Sequence, residues 1–423
     1  MDLKRLKVGR AHTDKTAPLA VPVLFWTTGA LGMLAGFWRL WAARQDWLAT
    51  TMGQGVVLAT VHCFTLAGLT MVMMGALYQL MPVLLNCSPT PAWRPVAQWA
   101  LYTAGIIVLV YGFNGGIPVA LASGGAGVII GIAFFLGNMA SLLGRRTTFN
   151  ITGWFIVAAL GYLAMTVVLG SLLALHYLGL ISLGPSVLGM HMTVALGGWF
   201  GLLVVGVSYR LWAMFGRNHR EPTNWVITWT LVNLAVVGLL VGSLTGFDSI
   251  RILAWLLQLM AFLAYIRDVM LGGPIDRRTM QDPALRTVAA GLIFLTVFEI
   301  LGSLAALGHH ALWIPALWAY GLGWVGLTFI GFSQKLLAFM IWIHRYAHVH
   351  GHGKVPRLDD IWRPAWDYPP LLATGIGLIL QVGGWWAKSN DWFLVGIALQ
   401  GVAWLWMLLF GARAARGPHH APD

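Results

Sequence analysis

The sequence predicts an all-α membrane protein with about twelve transmembrane helices in three pseudo-symmetric arcs of four. The composition is the first indication, because 58% of the 423 residues are hydrophobic, only 9% are charged, and the mean hydropathy is +0.75. Soluble domains carry about 25% charged residues, so this chain lacks the polar surface that water requires. Apolar stretches of about 20 residues, each long enough to cross a ~30 Å hydrocarbon layer as a helix, follow one another with short breaks.

These apolar stretches define the individual helices. In chain order, we expect helices over residues 17–43, 55–84, 95–119, 121–144, 151–178, 184–216, 224–246, 248–271, 284–308, 311–345, 368–387 and 391–414. The first apolar run is long enough to span, so we expect it to be retained rather than cleaved as a signal peptide. Residues 17–414 are then a single transmembrane domain, between a basic cytoplasmic N-terminus (1–16) and a cytoplasmic tail (415–423). A cytoplasmic, His-rich loop occupies 344–367.

The distribution of Lys and Arg gives the orientation. With the N-terminus inside, 22 of the 26 basic residues fall in cytoplasmic segments. The four exceptions are Arg39, Arg44, Arg251 and Lys388. Positive charge concentrates on the cytoplasmic side of membrane proteins, so the pattern predicts a multi-pass protein of the cytoplasmic (inner) membrane with both termini inside. The net charge of +12 is therefore explained by topology, and we expect no nucleic-acid partner.

An internal repeat supports the division into arcs. Similar segments begin at Gly75, Gly206 and Gly331 in the second, sixth and tenth helices: GALYQLMPVL, GVSYRLWAMF and GFSQKLLAFM. The glycines are 131 and 125 residues apart, which is four helices each time. Tyr78 and Tyr209 in these segments fall near the cytoplasmic face, where we interpret them as interfacial anchors.

Histidines near the outer face are the candidate ligands. His62 and His191 lie at similar depths in the second and sixth helices, thirteen and fifteen residues before their repeat glycines. A neutral imidazole has one lone pair for a metal, and it is a common axial ligand of haem iron. His176, His309 and His310 lie at the outer ends of helices, where interfacial hydrogen bonding is the alternative to ligation.

Two further features have open interpretations. Glu299 is an acid within the ninth helix, and intramembrane acids mark proton paths or pair with polar groups of a neighbouring helix. In the 344–367 loop, His344 and His348 are one helical turn apart, a spacing that suits a transition metal, although a solvated basic loop or a contact with a partner subunit is the more ordinary explanation. The two cysteines provide neither a disulfide framework nor a Cys-type metal motif.

The histidine-bearing segments resemble a known family. Residues 60–82 (TVHCFTLAGLTMVMMGALYQLMP) and 189–211 (GMHMTVALGGWFGLLVVGVSYRL) are similar to subunit I of haem-copper oxidases, especially to its divergent members. The resemblance implies twelve helices in three arcs, with both termini inside. It also implies that His62 is an axial ligand of a low-spin haem of b type and that His191 binds the metal of a binuclear centre.

The sequence also departs from that family. Ala195 stands four residues after His191, where the family has a Tyr or an equivalent, and residues 224–246 contain no His, where the family has a pair. His310 precedes its repeat glycine by 21 residues, which places it roughly 9 Å further out than His191 at 1.5 Å per residue. A copper site needs about three imidazoles, so the resemblance implies an incomplete copper site.

Two classes of function remain open at this point. The first is a membrane haem protein of respiratory or nitric-oxide-related electron transfer. It would accept electrons from cytochrome c or a quinol and work with additional membrane subunits. Whether such a protein is itself an oxidoreductase stays open. The second is a non-catalytic membrane subunit or transporter-like scaffold without a cofactor. The apolar midplane of the predicted helices favours the first, because transporters usually place polar binding residues there.

Overall fold

A computed structural model describes residues 15–49, 54–216, 222–270, 279–347 and 355–416. Most of the basic N-terminus, the C-terminal tail after residue 416 and the loop positions His348, His350 and His352 lie outside these residues. Twelve long helices, α1 to α12, account for most of the described chain: Ala20–Ala42, Gln54–Leu84, Trp93–Gly115, Pro118–Gly144, Ile151–Tyr177, Ser186–Phe215, Trp225–Thr245, Asp248–Met270, Pro283–Ala306, His310–Tyr346, Tyr368–Trp386 and Asn390–Arg416. Shorter helical pieces follow α1 (Arg44–Ala49) and precede α11 (Leu358–Ile361 and Pro364–Asp367).

Among the described residues, eleven of these helices are long and apolar enough to cross a membrane, all except α11. The prediction of an all-α, multi-pass membrane protein is therefore confirmed. Helix α11 has 19 residues, opens with two prolines and packs along α12. The two backbones approach closely at glycines: a Cβ on Gly384 would lie 2.4 Å from the Phe393 nitrogen, and one on Gly396 would lie 2.4 Å from the Gln381 nitrogen. Small residues allow such close packing between helices in lipid.

The packing repeats every four helices. In each arc the first helix packs against the second, and the third packs against the fourth. The pairs are α1–α2 and α3–α4, then α5–α6 and α7–α8, then α9–α10 and α11–α12. The repeat in the sequence therefore corresponds to a repeat in tertiary contacts.

The second helix of each arc contains a π-helical segment at an equivalent place. The segments are Cys63–Thr70, Val194–Gly201 and Ala319–Val325, and each begins twelve residues before its repeat glycine. A π-helical segment widens the helix by one residue per turn and often occurs at functional sites. Apolar composition does not distinguish π from α geometry, so these segments cannot be predicted from the sequence.

The repeat glycines seat each second helix against the first. A Cβ on Gly75 would lie 2.5 Å from the Phe25 Cβ, and one on Gly206 would lie 2.2 Å from the Phe155 Cβ. In the third arc, a Cβ on Gly331 would meet the Ala284 carbonyl oxygen at 2.5 Å. Since nothing larger than hydrogen fits at these positions, the glycines fix the contact between the two helices.

The three second helices, α2, α6 and α10, are linked to one another at the centre. The Trp199 indole of α6 donates to the Thr70 hydroxyl of α2 at 3.2 Å, and the Tyr320 hydroxyl of α10 donates to the Leu196 carbonyl of α6 at 2.6 Å. We call the side on which Ala20 lies the near face, and the side at which α1 ends the far face. The α2, α6 and α10 helices all begin at the far face.

Candidate functional site

His62 lies in α2 toward the far face, immediately before the π-helical segment. Its Nδ1 donates to the Leu58 carbonyl oxygen at 2.6 Å, one turn earlier in the same helix. Its ring stacks on Phe113 at the end of α3, with 5.1 Å between ring centroids. Phe113 in turn contacts Tyr177 of α5 edge to face at 5.9 Å. The imidazole is half-buried, and both its orientation and its tautomer are set by these neighbours.

His191 occupies a similar place in α6, three residues before its π-helical segment. Its Nδ1 donates to the Thr166 carbonyl oxygen of α5 at 3.1 Å. Gly170 of α5 faces the ring, and a Cβ at that position would lie 3.0 Å from His191 Cε1. The half-buried ring therefore fits against α5 because position 170 has no side chain.

The two imidazoles share one chemical arrangement. Each uses Nδ1–H as the donor to a backbone carbonyl, so the lone pair of each neutral ring is on Nε2. Metal-bound histidines typically hold their second ring nitrogen in such a hydrogen bond, which fixes the ring and raises its basicity. The two rings are also close enough to interact electrostatically. The two histidines that the repeat singled out therefore have the same side-chain hydrogen bonding.

The other predicted ligands do not share this arrangement. His176 is exposed, and its Nδ1 accepts the Leu183 N–H at 3.2 Å, so it orders the connection between α5 and α6. His309 and His310 are exposed at the far-face start of α10, where His310 opens a single 3₁₀ turn. Within the described ranges, no three His, Cys, Asp or Glu side chains converge as a metal-binding group. His62 and His191 are therefore a pair without a third ligand of these types in that part of the chain.

His344 ends α10 at the near face and contacts the N-terminal segment. Its Nδ1 lies 2.9 Å from the Met340 carbonyl oxygen, and its Nε2 lies 3.0 Å from the Ala17 carbonyl oxygen. Both nitrogens therefore face carbonyl oxygens, which suits a structural contact. The predicted pairing of His344 with His348 lies outside the described residues.

Glu299 is buried in α9, with 2% of its surface exposed. Its Oε1 accepts a hydrogen bond from Gln258 Nε2 of α8 at 3.1 Å. Its Oε2 is buried without a hydrogen-bond partner among the described residues. This acid is distinct from the histidine pair, since it belongs to the contact between the second and third arcs.

Two polar clusters near the near face were missed by the sequence analysis. The interpretation of Tyr78 and Tyr209 as interfacial anchors is wrong, because they are 2% and 4% exposed. Asn138 donates to the Tyr78 hydroxyl at 2.9 Å, and the Tyr209 hydroxyl donates to the buried carboxylate of Asp268 at 3.0 Å. The burial of the two tyrosines could have been inferred from the repeat. Both lie three residues after a repeat glycine, Gly75 or Gly206, and equivalent positions of a repeat tend to have equivalent environments.

The chain matches no protein-family model and no curated protein.

Proposed function

We propose that the chain is a haem-binding membrane protein of electron transfer, with His62 and His191 as the residues that hold the iron. The observation that supports this proposal is the shared geometry of the two rings. Each donates Nδ1–H to a backbone carbonyl and so keeps Nε2 available for a metal. The proposal also follows the resemblance of the α2 and α6 segments to subunit I of haem-copper oxidases.

The residues around the two histidines fix the orientation of their rings. Phe113 stacks on His62, and the His191 ring packs against α5 at Gly170. These neighbours hold the two rings in place. A bound haem would supply one-electron chemistry. His62 and His191 would hold it, and the hydrogen bonds from their Nδ1–H groups to the Leu58 and Thr166 carbonyl oxygens would make the two imidazoles more basic ligands.

Copper is not part of this proposal. A copper centre of the oxidase type needs about three imidazoles, and within the described residues no three His, Cys, Asp or Glu side chains form a metal-binding group. We therefore propose electron transfer of a respiratory or nitric-oxide-related kind, with a quinol or cytochrome c as donor and further membrane subunits as partners. We further propose that the near face is cytoplasmic and that the membrane is the inner one, because 22 of 26 basic residues fall on that side.

The absorbance spectrum of the purified full chain tests the proposal. We expect a Soret band that shifts on reduction with dithionite, and loss of a spectral component in His62→Ala and in His191→Ala. His176→Ala is the matched control, because this exposed histidine belongs to the α5–α6 connection. A chain without a Soret band, even after incubation with haem, would support the cofactor-free scaffold instead. Unchanged spectra in both variants would reject these ligands.

A further inference from the structure

The contact between α8 and α9 depends on a buried amide–carboxyl pair. Gln258 Nε2 donates to Glu299 Oε1 at 3.1 Å, while Glu299 Oε2 has no hydrogen-bond partner within the described residues. Among the described residues the ion pairs are Arg251–Asp248 and Lys335–Asp282, and neither includes Glu299. An uncompensated carboxylate is expensive at this depth in a membrane. A protonated carboxyl avoids this cost.

A second pair in the same molecule shows that such a helix contact does not require an acid. Gln400 Nε2 of α12 donates to Gln381 Oε1 of α11 at 2.6 Å, and both side chains are fully buried. This pair links two neighbouring helices through the same type of amide hydrogen bond. At position 299 a glutamine would make the same bond as the glutamate. What the carboxyl adds is a group that can gain and lose a proton.

The surroundings of Glu299 contribute few other polar groups. Tyr320, in the π-helical segment of α10, is close enough to interact electrostatically with the carboxyl. Its hydroxyl donates a hydrogen bond to the Leu196 carbonyl oxygen, in the π-helical segment of α6, at 2.6 Å. Phe298 packs on Tyr320 with 4.8 Å between ring centroids, and Trp255 of α8 packs on Phe298. Tyr320 is thus the titratable group that faces Glu299 from α10, while α8 contributes an amide and an indole.

We propose that Glu299 is an exchangeable proton-binding residue at the contact of the second and third arcs. In the resting chain the acid is neutral, with Gln258 holding Oε1 and the proton on Oε2. On release, the O–H bond breaks, the proton passes to a water molecule, and the electron pair stays on the carboxylate. The Gln258 N–H then stabilises the negative charge. The role goes beyond haem binding and does not depend on it.

Infrared difference spectroscopy of the reconstituted full chain tests this role. All measurements use an Asp367→Asn background, because burial raises the pKa of the Asp367 carboxyl to about 7 and this acid would add a band of its own. In that background we expect the C=O stretch of a protonated carboxylic acid at neutral pH when Glu299 is present, with a shift in D₂O because the proton exchanges. The band should be lost in Glu299→Gln, which keeps the amide bond that the Gln381–Gln400 pair exemplifies. Asp268→Asn is the control, since this second buried acid is held by Tyr209 and should not affect the band.

Each alternative result overturns the proposal. A band that persists in Glu299→Gln belongs to another group, an Asp367→Asn chain without the band contains a permanent carboxylate, and a band insensitive to D₂O shows a proton that does not exchange. Gln258→Leu serves as a second variant that keeps the acid. It should shift the band rather than remove it, because the Oε1 hydrogen bond is lost, and an unshifted band would contradict the assignment to Glu299.

Discussion

The first and second arcs hold the same tyrosine at the same place but surround it with different chemistry. In the first arc, the Tyr78 hydroxyl receives the Asn138 amide N–H at 2.9 Å and lies 3.5 Å from Gln98 Oε1, so the cluster is neutral. In the second arc, the Tyr209 hydroxyl donates to Asp268 Oδ2 at 3.0 Å, so the cluster contains an acid. Both clusters join the second helix of an arc to its fourth helix.

This difference distinguishes the helix contacts that both arcs share from the polar contacts that are particular to one arc. The glycine and the tyrosine three residues later set the helix contacts, because they recur in both arcs with the same neighbours on α1 and α5. Phe25 packs on Tyr78 with 5.4 Å between ring centroids, and Phe155 packs on Tyr209 at 5.8 Å. The third arc has the buried Gln334 in place of the tyrosine. The polar partners of this position therefore differ between the arcs, while the packing of the first helix on the second is the same in the first two.

The largest expected effect comes from breaking that framework. Gly75→Ala and Gly206→Ala each place a Cβ within 2.5 Å of a phenylalanine Cβ on the preceding helix, so we expect losses on the order of 2–3 kcal/mol in stability. Thermal unfolding of the purified protein in detergent measures this. Gly161→Ala is the matched control, because no heavy atom of another element lies within 4 Å of its Cβ position. Similar losses at both repeat glycines support equivalent arcs, and a neutral Gly206→Ala would contradict the packing described.

A smaller effect is expected from the polar partners. Asp268→Ala removes the acceptor of the Tyr209 hydroxyl, and we expect a loss of about 1–3 kcal/mol in thermal or denaturant unfolding. Asn138→Ala leaves the Tyr78 hydroxyl near Gln98, so its loss should be about 1 kcal/mol. Asp268→Asn makes the second cluster as neutral as the first and should cost less than Asp268→Ala. If the amide is as damaging as alanine, the charge and not the hydrogen bond holds Tyr209.

A pH-dependent effect is expected from a buried acid outside the long membrane-spanning helices. Burial raises the pKa of Asp367 to about 7, against the opposing effect of the hydrogen bond that Trp362 Nε1 donates to it at 2.5 Å. The folded chain therefore binds a proton that the unfolded chain has already lost above its ordinary pKa of 3.8. Stability should fall as the pH rises from about 4 to about 7, by at most about 1.4 kcal/mol per pH unit, and then level off.

Thermal unfolding between pH 4 and pH 8 measures this contribution. Asp367→Asn removes the titration and should flatten the curve in that range. Asp282, which pairs with Lys335, also acts on the Asp367 carboxyl, so Asp282→Asn provides a comparison in which Asp367 still titrates. A wild-type curve that rises over the same range would contradict the assignment.

The sequence by itself determined the helices and their repeat, while in the described residues eleven of the twelve expected spans meet the length and hydropathy of a membrane helix. A membrane-spanning helix satisfies its own backbone hydrogen bonds and needs mainly a long enough apolar run, so composition and length suffice to locate it. The same information placed His62 and His191 at similar depths, because depth follows from position along a helix. It also marked Glu299 as unusual, since an acid is rare in such a run.

Only the tertiary structure decided which groups meet. The carbonyl that holds His191 is on Thr166, 25 residues away in another helix, and the amide that holds Glu299 is on Gln258, 41 residues away. The rotation of each helix about its axis selects these partners, and packing against neighbouring helices sets that rotation. Tyr78 and Tyr209 became buried cluster residues for the same reason. Hydropathy reports depth in the membrane, but it contains almost no information about which face of a helix meets which neighbour.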